Sequence, residues 1–111
     1  MSSSWAVFLD TVKSTKGFRQ ADDLKSLIEG AQTDPLGFLM VQGEMLEMYL
    51  EQFANKDIDI QEFETSVRAI RELIEIESVK MSPEDLERAT GLMTGIEALI
   101  LHSLLPILKE S

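Results

Sequence analysis

Apolar residues recur along the chain at alternating spacings of three and four, the period of one helix face. Trp5, Phe8 and Val12 show the pattern briefly, and Ala21, Leu24, Ile28 and Ala31 repeat it. Leu36, Leu39, Gly43, Leu46, Leu50 and Phe53 continue it over a longer stretch, with Gly43 a small residue in the series. Ile60, Phe63, Val67, Ile70 and Ile74 form a further series, and Leu86, Ala89, Met93, Ile96 and Ile100 another. No segment of useful length alternates with period two, so the pattern predicts an all-α protein.

The boundaries are also legible. Asp34-Pro35 and Ser82-Pro83 each place a capping side chain before a proline, which at the first helical position has no N–H to waste. Asp59 with Glu62, and Ser82 with Asp85, have the three-residue offset of a capping box. Ser14-Thr15-Lys16-Gly17 breaks the first pattern, and Gly30 sits near the end of the second. Helices are therefore expected near 4–13, 20–31, 35–54, 60–80 and 83–109, with Pro106 ending or kinking the last. Short loops between long helices make antiparallel neighbours, so the expected fold is a small antiparallel bundle in one domain over residues 1–111. The three long helices would form its core, with the two short N-terminal ones packed across it.

Two helices carry more apolar surface than one seam requires. In the third, Phe38, Val41, Met45 and Met48 form a second stripe, leaving Glu44, Glu47 and Glu51 for water. In the last, Ala98 to Leu101 and Leu104 to Leu108 are apolar nearly all round, which a central helix explains and a contact with another chain also explains. Gly91, Gly95 and Ala98 place small residues about a turn apart, where a neighbouring helix would fit closely.

Composition narrows the function classes. The 111 residues are 44% apolar, too rich for a disordered acidic tail, and the length suits one compact domain. Twenty acidic against ten basic residues give a net charge of −10, which argues against direct binding to nucleic acid or to anionic membrane. The acidity lies after residue 25, because Lys13, Lys16, Arg19 and Lys25 outnumber Asp10, Asp22 and Asp23 before it. The absence of cysteine removes disulfides, thiolate metal sites and thiol nucleophiles. Met1 to Trp5 lacks the basic start of a secretory signal, and Glu97, His102 and Pro106 interrupt the most apolar stretch, so a cytoplasmic location is expected.

Candidate chemistry is sparse. Asn55 to Phe63 resembles the second half of an EF-hand loop, with Ile58, Asp59 and Glu62 in register. The first half departs from it, because Phe53 stands where a carboxylate belongs and Lys56 where the turn glycine belongs. Asp59 is therefore read as a helix cap. His102 is preceded at three residues by Leu99, not by the Glu that a di-metal bundle uses, and no nucleophile–base pair can be built around it. Trp5 and Tyr49 are read as core or rim residues. Asp34-Pro35 between two helices, followed by Leu39, Gln42 and Leu46, resembles the helical hairpin of type III secretion needle and inner-rod subunits. That match is confined to the hairpin and implies a helix–turn–helix there.

These readings converge on a non-enzymatic interaction module, an adaptor, chaperone-like factor or assembly subunit without cofactor or metal. Its partner would be another protein or a second copy. The expected contact residues are Leu101, Leu104, Leu105 and Leu108 on the last helix, and Phe38, Met45 and Met48 on the third. Methionine suits such a surface because it adapts to several packings. The alternative is an acidic, phage-type inhibitor or decoy occupying a basic site on a nucleic-acid-binding protein.

Overall fold

A computed structural model of the protein describes residues 4–110. Helix α1 (Ser4–Lys16) buries Trp5, Leu9 and Val12 and runs a turn past the expected end. The Thr11 and Thr15 hydroxyls donate to carbonyls one turn back, and Gly17, at φ +73°, supplies the left-handed residue that stops the helix. Phe18 then drops completely out of solvent and leads into α2 (Ala21–Gln32), whose Ala21, Leu24, Ile28 and Ala31 are all buried. Lys13 to Asp22 and Lys25 to Asp10, both 2.6 Å, clip the two helices together at the surface.

The Asp34-Pro35 signal behaves differently from expectation. Helix α3 (Gly37–Ala54) starts after Leu36, two residues beyond the predicted proline start. Asp34 instead accepts the Leu36 N–H at 2.8 Å in a tight turn and an Arg88 N–H at 3.0 Å, so its carboxylate fastens the loop to a distant helix. At its other end, α3 closes with Lys56 at φ 64°. Asp57 N–H reaches the Gln52 carbonyl at 2.8 Å and Lys56 N–H that of Phe53 at 3.1 Å, the paired bonds of a Schellman turn. The next helix, α4 (Ile60–Glu77), opens with a reciprocal capping box between Asp59 and Glu62. Asp59 and Glu62, the carboxylates in register with an EF-hand loop, are thus both used in capping.

A 3₁₀ turn, Ser78–Lys80, ends α4 three residues before the predicted limit. Helix α5 (Pro83–Leu99) begins as expected, with Ser82 Oγ accepting the Asp85 N–H. It passes through a widened π-type turn, Ile100–Leu104, into α6 (Leu105–Lys109). Pro106 explains the wide turn, since its ring and missing N–H forbid the ordinary bond to the carbonyl four residues back. The helix therefore continues through it, making one rod over Pro83–Lys109.

The arrangement also corrects the expected core. The α2–α3 pair is the most intimate of the bundle, and α5 lies against both α2 and α4, so the N-terminal pair is built into the core instead of lying across it. Gly43 permits the α2–α3 approach: a Cβ there would sit 2.8 Å from Gln32 Cγ and 2.9 Å from Gln32 N. Gly91 and Gly95 do not serve this purpose, since a Cβ at Gly91 meets nothing within 4 Å and one at Gly95 meets only Leu27 at 3.9 Å. Phe53 joins three helices, edge-on to Phe8 at 5.5 Å and stacked on Phe63 at 4.8 Å.

Candidate protein-interaction face

The two expected surfaces fare differently. Leu101, Leu104 and Leu105 are buried in the chain's own core, and Leu108 is half-buried against it. By length and composition the Pro83–Lys109 rod could cross a membrane, yet its large apolar side chains are all buried or half-buried within the bundle. It is apolar nearly all round because α2 and α4 both lie against it. Leu101, Leu104 and Leu105 are therefore internal packing and offer no free contact surface, while the half-buried Leu108 lies at its margin.

The α3 stripe is different. Val41 is 47% and Met48 45% exposed, while Phe38 and Met45 are half-buried beside them. These positions follow one another at three- and four-residue steps along one flank of α3, whose N-terminal part borders α4. There, Gly37, Phe38, Val41 and Gln42 meet Leu73 and Glu77 of α4 around a cleft of about 320 Å³. Beyond Leu73, Ile76 and Val79 stand 64% and 85% exposed.

In the sequence Gln42 stands out only within the Asp34-Pro35 hairpin resemblance, and the structure gives it a larger place. It is 3% exposed, the one buried polar residue among those described, and its Oε1 has no hydrogen-bond partner. An enclosed acceptor without a donor costs about 1–3 kcal/mol. The signal was present in the sequence, because Gln42 stands at the i, i+3, i+7 positions with Leu39 and Leu46, inside a core stripe.

The acidic residues of α3 divide in two. Glu47 and Glu51, expected in water, turn to α1, where Glu47 Oε1 accepts the Trp5 indole N–H at 2.8 Å and Glu51 Oε1 the Trp5 backbone N–H at 2.6 Å. Glu44 follows Val41 by three residues and precedes Met48 by four, and Glu72 precedes Ile76 by four. Both are exposed and lack an ion-pair partner among the described residues. At the cleft edge, Glu77 meets Lys80 only at 3.9 Å. The apolar face thus has an acidic border short of countercharge. His102 is exposed on the wide turn of the last helix, away from these residues.

No family model matches this chain, and no curated protein or solved structure shows significant similarity to it.

Proposed function

We propose that the protein is a small, non-enzymatic interaction module that binds another protein through the α3–α4 face. The observation that carries this reading is the exposure of Val41 and Met48 in one α3 stripe with the half-buried Phe38 and Met45. The apolar area supplies the driving force for docking, and the methionines allow it to fit a partner's contours. A different protein is favoured over a second copy, since two chains of charge −10 repel while a basic partner is attracted.

Affinity capture from the native host by wild type and by the Val41→Glu/Met48→Glu double variant tests the proposal. The wild type is expected to retain a partner that the variant loses, with unchanged helicity in the variant. Equal capture by both proteins removes this face from the function. The acidic-decoy reading draws support from the uncompensated Glu44 and Glu72, and salt separates the two. Capture that survives added salt is apolar docking, whereas capture abolished by salt is charge recognition.

A further inference from the structure

Resting on the interaction face proposed above, we infer that its occupant is a protein segment that places Lys or Arg side chains on either side of an apolar centre. The sign of the border selects it. No basic residue stands between Lys25 and Lys56, so α3 carries no cation along its whole length. Lys56 itself lies in the closing turn, about 25 Å along the helix from the cleft at Gly37 to Val41. The arginines of α4 are engaged elsewhere. Arg71 pairs with Glu97 of α5 at 3.3 Å, and Arg68 with Glu64, which also holds Lys109 at 2.7 Å.

Helix phase sets the acids just outside the apolar positions. Each residue turns the helix by about 100°, so the order Phe38, Val41, Glu44 moves steadily round α3 and away from the cleft. The order Leu73, Ile76, Glu72 does the same on α4. Glu44 and Glu72 meet no cation among the described residues, and Glu77 in the cleft reaches Lys80 only at 3.9 Å.

Covering Val41 and Met48 strips water from the carboxylates beside them. A wholly apolar partner leaves that loss uncompensated, and an acidic one adds repulsion. A second copy fails on the same ground, since a two-fold contact brings this face, acids included, against itself. Lys or Arg beside the partner's apolar side chains restores the balance, and their long stems add apolar contact.

A random-peptide display library panned on the immobilised full chain provides the test. Recovered peptides should combine apolar residues with an excess of Lys and Arg. That excess alone is insufficient, because any protein of net charge −10 favours it, so variants must place it on this face. The peptides should lose binding to Val41→Glu/Met48→Glu. On Glu44→Gln/Glu72→Gln/Glu77→Gln they should weaken about five- to tenfold, with added salt shrinking that difference. Panning on Glu44→Lys/Glu72→Lys should recover acidic residues in place of basic ones.

Peptides that are lost with Val41→Glu/Met48→Glu but lack a basic excess overturn the inference and leave the interaction reading standing. Basic peptides that bind the glutamine variant as tightly as wild type also overturn it, since their charge then serves another surface. Self-association of wild type through Val41 and Met48, seen by sedimentation, replaces the basic partner with a second copy. The interaction reading fails separately, when neither peptides nor host proteins distinguish wild type from Val41→Glu/Met48→Glu.

Discussion

Trp5 and Glu47, separated by 42 residues, are joined by a 2.8 Å hydrogen bond from the indole N–H to Oε1. Trp5 is 3% exposed, so its N–H has left water and depends on this acceptor. Glu51 completes the grip by accepting the Trp5 backbone N–H near the start of α1, where a carboxylate also favours the helix dipole. Glu47→Ala is therefore expected to cost about 1–3 kcal/mol, with Glu47→Gln recovering much of it. Urea unfolding followed by emission of Trp5, the only tryptophan, measures both. No change in Glu47→Ala would show that the indole N–H finds another partner.

Gly43 and Gly91 make opposite predictions for the same substitution. Gly43→Ala drives a methyl against Gln32 backbone and side chain, so it should destabilise by about 1–3 kcal/mol despite better helix propensity. Gly91→Ala adds a methyl in open space inside α5 and should stabilise by about 0.5–1 kcal/mol. Thermal unfolding of the two variants against wild type decides it, and a stabilising Gly43→Ala would mean that α2 and α3 can move apart.

How much was legible in the sequence follows from how local each determinant is. The apolar registers of the last four helices and the caps at Asp59 and Ser82 depend on neighbours within a turn or two and were read correctly. The first series took half-buried Phe8 in place of the fully buried Leu9. Asp34 was misread because its carboxylate answers Arg88, 54 residues away. Glu47 and Glu51 looked like a solvated face because their partner lies at the far end of the chain. The leucines of the last helix showed their apolarity but not its cause, since periodicity cannot distinguish helices packed around a rod from an interface. For the candidate site, the stripe from Phe38 to Met48 was visible, whereas the facing Leu73 and Glu77 and the enclosed Gln42 needed the packing of α3 on α4.

Lys56 holds a left-handed conformation at φ 64° in the turn that ends α3, a position where a side chain is strained and glycine is at ease. Lys56→Gly should raise stability by about 0.5–1 kcal/mol, the relief of strain being partly offset by a freer unfolded chain. Chemical denaturation should show a higher midpoint with an unchanged slope. A lower midpoint would mean that the lysine side chain contributes more than its backbone costs.

Asp34 gives the stability a pH dependence of known sign. The Leu36 N–H bond holds its carboxyl below the ordinary aspartate value of 3.8, with Arg88 adding to the effect and desolvation opposing it. A lowered native value means that the contribution is complete above 3.8 and is lost as the pH falls below it. Asp34→Asn should therefore melt lower than wild type near neutral pH, with the gap narrowing as the pH approaches about 2. Asp22 and Glu64 are lowered in the same direction by Lys13 and Lys109, so the acid decline of the wild type is shared and only its Asp34 part disappears in the variant. A gap independent of pH would show that the carboxylate acts through shape alone.

Leu104 and Met48, both apolar and both expected at contact surfaces, should separate cleanly. Leu104 has no exposure, so Leu104→Ala leaves a cavity and should cost about 2–5 kcal/mol. Met48 is 45% exposed, so Met48→Ala should change stability by no more than about 0.5 kcal/mol. Partner capture should follow the reverse order, weakened by Met48→Ala and retained by Leu104→Ala at temperatures where that variant is still folded. Denaturant titration and capture on the same preparations provide both readings. Full capture by Met48→Ala together with loss by well-folded Leu104→Ala would return the contact surface to the last helix, and with it the expectation that the burial of Leu104 overturned.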